Sequence, residues 1–187
     1  IELQLGSAEI YNNLGVSLHK LNEFQSAVRA YYSAIKLDSK YDQAYSNLAT
    51  SLIKLQQFDK AISICLKAIE RSSDNFVAYY NLGNIYKEQG KLEEAIRFYQ
   101  YAISIQPNVP EIHSNLGDAF KESNRLEEAI QAYQRVIDID PNIARVYANI
   151  GAALYQKLVN LENTGSIVDF LMAPSYLDRA VQYYQQA

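Results

Sequence analysis

The chain has 187 residues, 49% of them hydrophobic, and carries a formal charge of −4 with a pI near 5.2. That balance argues against a phosphate-backbone partner, because nucleic-acid binders usually present a basic stripe. No run of about 18 apolar residues is present to span a membrane, and Cys65 is the single cysteine, so nothing requires an oxidising compartment and a cytoplasmic setting is favoured.

In chain order, Ile1 to Leu5 alternates apolar and polar within an N-terminal extension, 1–7, that reads as the remnant of a preceding helix. From there the sequence is periodic. Asn13-Leu14-Gly15 returns as Asn47-Leu48-Ala49, Asn81-Leu82-Gly83, Asn115-Leu116-Gly117 and Asn149-Ile150-Gly151, each 34 residues after the last. Such a period marks stacked helical repeats, and it divides the chain into units 8–41, 42–75, 76–109, 110–143 and 144–187.

The third unit shows the construction most clearly. Tyr79, Leu82, Gly83 and Tyr86 share one face of a first helix, and Leu92, Ala95, Ile96, Tyr99, Ala102 and Ile103 form the apolar face of a second. Gly90 lies between them, with Asn22, Gln56 and Asn124 in the same slot of other units. Gly and Asn take a left-handed backbone most readily, which ends the first helix and turns the chain. Pro107 and Pro141 stop the second helices of the third and fourth units. Small residues at Gly15, Ala49, Gly83, Gly117 and Gly151, and at Ala27, Ala61, Ala95, Ala129 and Ala180, let paired backbones approach. Most of the 16 tyrosines fall in repeating core slots and need no aromatic cage to explain them.

These residues resemble the tetratricopeptide repeat family, whose pattern is met by Tyr79, Leu82, Gly83, Tyr86, Ala95, Tyr99, Ala102 and Pro107. The resemblance covers about 8 to 157 and resumes near Leu177; Ser39 and Ser73 replace the terminal proline, His113 replaces the first aromatic and Val136 replaces an alanine. It implies an all-α solenoid of antiparallel helix pairs wound as a right-handed superhelix, with a concave groove lined by first helices. The fifth unit departs from the pattern. Its second-helix signature, Leu177, Ala180 and Tyr184, arrives about 17 residues late, so an insertion at about 158–175 is expected, with Asn163-Thr164-Gly165 as a turn signal and an apolar stretch through Met172. That insertion packs as an extra helix, folds over the groove or docks on another chain. The second helix of this unit is expected to be truncated at Ala187, and uncapped ends of that kind would permit self-association.

Spacings of four, three and four put Glu9, Asn13, Val16 and Lys20 on one helical face, followed by Gln43, Asn47, Thr50 and Lys54; Val77, Asn81, Asn84 and Glu88; Glu111, Asn115, Asp118 and Glu122; and Arg145, Asn149, Ala152 and Gln156. An amide both donates and accepts, so a ladder of Asn13, Asn47, Asn81, Asn115 and Asn149 suits the backbone of an extended peptide, as the family resemblance also implies; a similar ladder lines the O-linked N-acetylglucosamine transferases. Asn is also the usual residue of this slot in the family, and both readings stay open. The carboxylate grip of chaperone-binding members is not met, since the slots for its first lysine hold Asn12, Ser46, Tyr80, Ser114 and Ala148, although Asn84, Asn115 and Arg145 supply part of the set. Glu111, Asp118 and Glu122 instead suggest a basic partner opposite the fourth unit.

No glycine-rich phosphate loop, metal-ligand spacing or nucleophile elbow occurs, so no cofactor, metal or catalytic residue is expected. The expected function is a non-catalytic interaction module that holds a protein or peptide segment and helps assemble a complex. The alternatives are the substrate-presenting arm of a larger glycosyltransferase or methyltransferase, and a self-assembling scaffold.

Overall fold

A computed structural model describes residues 7–164, with 178, 181–183 and 185. It contains helices α1 (Ala8–Lys20), α2 (Phe24–Leu37), α3 (Asp42–Lys54), α4 (Phe58–Arg71), α5 (Phe76–Glu88), α6 (Leu92–Ile105), α7 (Pro110–Glu122), α8 (Leu126–Ile139) and α9 (Ala144–Thr164), and no strand among the described residues. The fold is all-α, of the α-solenoid class built from antiparallel helix pairs. Two compact units divide at residues 89 and 90: the first holds α1 to α5 and the second α6 to α9.

Each hairpin turn follows from one backbone position. Asn22, Gln56 and Asn124 have φ of 61°, 56° and 60°, and Gly90 has 71°. This left-handed residue turns the following N–H groups back onto the helix just ended: Glu23 N donates to Leu18 O at 2.9 Å, Gln57 N to Leu52 O at 2.9 Å and Arg125 N to Phe120 O at 2.8 Å. The long return bond satisfies a carbonyl that would otherwise be orphaned, and the second helix starts within two residues. Glu93, Glu94, Glu127 and Glu128 occupy first turns, where negative charge meets the positive end of the helix.

Within a pair, the glycine of the first helix lies under a tyrosine of the second. A Cβ on Gly15 would fall 2.5 Å from Cε1 of Tyr31, and one on Gly117 would fall 2.5 Å from Cε1 of Tyr133. Both rings are buried. In the second repeat the two slots hold Ala49 and Cys65 instead, both buried, so a gained methyl is matched by a smaller partner. Burial also raises the Cys65 thiol to about 12, so it is a small core filler rather than a thiolate.

Successive repeats are joined by a second recurring device. The Tyr45 hydroxyl donates to Ser39 O at 3.2 Å and the Tyr147 hydroxyl to Pro141 O at 2.9 Å, while His113 Nε2 meets Pro107 O at 2.8 Å. Each polar tip reaches the carbonyl six residues back and closes the loop between units. His113 fits an aromatic slot because its ring carries a donor to the same place.

The fifth repeat differs in length. α9 has 21 residues where the first helices before it have 13. The helix therefore continues through the start of the expected insertion, 158–175, and is described as far as Thr164; Gly165 of the turn signal lies outside the described residues. The remainder of the insertion, and the signature residues Leu177, Ala180 and Tyr184, lie outside the described residues.

Candidate functional site

In the first unit the rung residues lie on α1, α3 and α5. Asn13 is exposed, and its side chain has no hydrogen-bond partner among the described residues. Asn47 is half-buried, and its Nδ2 donates to Asn12 Oδ1 at 2.9 Å on the preceding first helix. Asn81 goes further: it is 2% exposed, and its Nδ2 donates to Ser46 O at 3.3 Å and Thr50 Oγ1 at 3.4 Å. The face expected to open five asparagines to solvent therefore differs at Asn81, which is sealed between helices and clips α5 to α3. Asn84, one turn on, is half-buried.

A hollow of about 150 Å³ opens beside this face, lined by Val16, His19, Lys20, Tyr31, Asn47 and Thr50. His19 Nδ1 lies 2.7 Å from the hydroxyl of the buried Ser51, which also bonds Tyr31. Burial first, and then the Lys54 ammonium, hold the His19 imidazole below its ordinary pKa. Lys20, which lines the hollow, forms no ion pair among the described residues, so it gives the hollow a cationic side.

The second unit has the opposite sign. Asp118 accepts from the Tyr133 hydroxyl at 2.6 Å and from Asn149 Nδ2 at 3.4 Å, and Arg145 reaches Ser114 Oγ at 3.4 Å. Burial, and next the Asp118 bond, raise the Tyr133 hydroxyl far above its usual range, with the charges of Asp118 and Glu122 acting the same way. The proton thus stays on Tyr133. Asn115, Asp118 and Asn149 are half-buried; Glu111, Glu122 and Arg145 are exposed.

One pattern unites the two units. The amide N–H of a rung asparagine ties its helix to the first helix before it, as at Asn47, Asn81 and Asn149, whereas Asn13 makes no such bond among the described residues. The acceptors Asn12 and Ser46 O lie one residue before the rung asparagine of their own helix, and Thr50 and Asp118 lie three residues after it. Only the recurrence of small polar residues in those slots signals that role. Among the described residues, no group of three or more His, Cys, Asp and Glu is placed to hold a metal, and no helix is long and apolar enough to cross a membrane.

Known families agree with this architecture. Sequence profiles described as tetratricopeptide repeat match residues 8–41, 42–75 and 64–97, and one described as TPR repeat matches 83–123 and 117–157. The chain belongs to the tetratricopeptide repeat family. Among solved structures, a crystal structure of the MamA protein is similar at 23% identity and a TM-score of 0.71, covering 96% of this chain and 88% of that one. YrrB, described as a TPR protein with an unusual peptide-binding site, is similar at 24% identity and a TM-score of 0.64, covering 94% and 85%. A thermophilic TPR protein of Thermus thermophilus is similar at 18% identity and a TM-score of 0.70, covering 96% and 98%. At these identities the likeness is one of fold. A comparison with curated protein sequences finds no match.

Proposed function

We propose that this tetratricopeptide chain is a protein-interaction module whose first-helix faces hold an extended segment of a partner and so help assemble a complex. The observation that carries the reading is the division of labour within the rungs. Inward amide N–H groups fix neighbouring first helices to each other, while Asn13, the carbonyl oxygens of Asn47 and Asn149, and the charged ends of the rungs remain for a ligand. A face held rigid before binding loses little entropy on binding. Asparagine carbonyls would accept from peptide N–H groups of the partner, with Asn84 and Asn115 beside them, and Asn81 would act by holding α5 rather than by touching the segment.

Charge gives the reading a direction. Glu111, Asp118 and Glu122 favour a basic side chain opposite the fourth repeat, while the Arg145 guanidinium suits a carbonyl or carboxylate, and such charged contacts weaken as salt rises. YrrB is described as carrying a peptide-binding site, which supports the same use of a related fold.

The test uses peptides selected on the intact chain from a random displayed library. Their affinity is then measured for Asn13→Ala/Asn47→Ala and Asp118→Asn/Glu122→Gln variants. The proposal expects weakening of about tenfold in one variant or both, with helicity unchanged by circular dichroism. Equal affinity for wild type and both variants rejects it.

A further inference from the structure

On the side of α7 away from the rungs, the third and fourth repeats form a hollow of about 470 Å³. α6 and α8 flank it, and buried residues of α7, Leu116 and Phe120 among them, make its floor. At about 3.6 residues per turn, these two and His113 stand half a turn round α7 from Asn115, Asp118 and Glu122. Ala132 of α8 gives the hollow its depth. The same slot holds Ile64 in α4 and Phe98 in α6, with alanine again at Ala30 in α2. α8 therefore leaves out the large apolar side chain that α4 and α6 supply.

His113 adds a polar group to this floor. It is 6% exposed, and its Nε2 lies 2.8 Å from Pro107 O. A carbonyl oxygen only accepts, so Nε2 carries the proton and the neutral ring presents Nδ1 as a bare acceptor. Nδ1 has no partner among the described residues, and it is not sealed from solvent. In the same slot Tyr45 and Tyr147 use their single hydroxyl on the equivalent carbonyl; the imidazole makes that bond and has a second nitrogen left over. The charges at the rim are matched, since Glu128 accepts from Arg125 and Arg135 lies 3.1 Å from Asp138. Gln100 on α6 and Gln131 on α8 add exposed amides, neither with a partner among the described residues.

We propose that this hollow receives an aromatic side chain bearing one N–H or O–H donor, as tryptophan and tyrosine do, from an uncharged segment of a partner protein. The ring lies on Leu116, Phe120 and Ala132, much as Phe98 fills the corresponding slot of α6, and its donor meets His113 Nδ1. An aliphatic anchor would displace water from Nδ1 and give it no hydrogen in return, which is unfavourable. A segment, rather than a free aromatic molecule, follows from Gln100 and Gln131: their amides flank the hollow from two helices and suit the peptide groups on either side of the ring. The volume, within the roughly 300–1,000 Å³ of ligand pockets, holds the ring with backbone beside it. This surface is separate from the rungs, and its neutral ligand is indifferent to salt.

The probe is the tripeptide acetyl-Gly-Trp-Gly-amide, titrated at pH 8 into the intact chain and followed by amide and methyl chemical shifts. Saturable shifts are expected at Ile103, Leu116 and Ala132, alike at low and high salt. An analogue with benzothiophene for indole keeps the shape and loses the N–H, and is expected to bind about fivefold to tenfold more weakly. His113→Tyr keeps a bond to Pro107 O, as Tyr45 and Tyr147 do at their own carbonyls, while removing Nδ1; it is expected to weaken the tripeptide about tenfold. Ala132→Phe fills the hollow and is expected to abolish binding with helicity unchanged. Gln100→Ala/Gln131→Ala is expected to lower the tripeptide to the affinity of 3-methylindole, the bare ring. Absence of shifts at millimolar tripeptide, equal binding of the benzothiophene analogue, or equal binding by His113→Tyr overturns the proposal. Wild-type affinity for 3-methylindole equal to that for the tripeptide also overturns it, by making a free aromatic molecule the occupant.

Discussion

Gly15→Ala tests the packing logic of the repeat with a single methyl group. The new Cβ would stand 2.5, 2.7 and 2.8 Å from Cε1, Cδ1 and Cζ of Tyr31, against about 3.5–4.0 Å for comfortable carbon contact. The ring cannot simply slide away, since Tyr31 is 2% exposed and its hydroxyl bonds the buried Ser51. Overpacking of this kind costs about 1–3 kcal/mol. Tyr31→Cys alone leaves a cavity and costs about 3–5 kcal/mol, the range for deleting a buried aromatic. The second repeat, however, already combines Ala49 with Cys65, so Gly15→Ala in the Tyr31→Cys background has room for its methyl. The double variant is expected to be more stable than the sum of the singles by about 1–3 kcal/mol. Urea unfolding by circular dichroism supplies the four stabilities, and amide exchange in α1 and α2 localises the loss, because repeat arrays need not unfold in one step. Costs that add to within about 0.5 kcal/mol would refute the reasoning.

Other consequences follow from single contacts. Asn81→Ala removes the two bonds that clip α5 to α3, while the Thr50 hydroxyl still donates to the Ser46 carbonyl, and is expected to lower stability by about 0.5–1.5 kcal/mol, whereas Asn13→Ala should leave the unfolding midpoint unchanged; equal effects would contradict the clip. His19 binds its proton less readily when folded than when unfolded, so the unfolded state protonates first as pH falls below the ordinary histidine value near 6.5. Stability should therefore drop from there down to the lowered folded value and then level off, and His19→Gln should remove that drop in urea melts run at a series of pH values. With its thiol pushed up to about 12 by burial, Cys65 should react with a thiol reagent at pH 8 only as fast as its repeat opens. Labelling of the folded chain at the rate of a free peptide thiol would show the core filler to be exposed.

The sequence disclosed whatever depends on the repeat and its local chemistry. The left-handed turn slot was legible because Gly90, Asn22 and Asn124 share it, and Gln56 followed by position, with a φ of 56°. His113 was legible as an aromatic substitute, but not its bond to Pro107 O, which depends on a loop carbonyl arriving opposite the ring. The candidate site was legible as a row and not as a set of environments. Asn13, Asn47 and Asn81 are identical in sequence position, yet they are exposed, half-buried and buried. Their exposure follows the neighbouring first helix: Asn13 meets none among the described residues, Asn12 meets Asn47, and the Ser46 carbonyl with Thr50 encloses Asn81. Periodicity cannot carry that information, because it lies in side chains one repeat away. The long α9 was hidden for a related reason, since the delayed signature at Leu177 marked extra residues without saying that the first helix would absorb part of them.

The measurement that bears most directly on the proposed role is amide chemical-shift mapping of the intact chain with a library-selected peptide. The account predicts shifts on first helices, at Asn13, Asn47 and Thr50 in the first unit or at Asn115, Asp118, Glu122, Arg145 and Asn149 in the second, and their collapse at high salt for a basic peptide. Shifts confined to α2, α4, α6 or α8, with these residues unmoved, would contradict it.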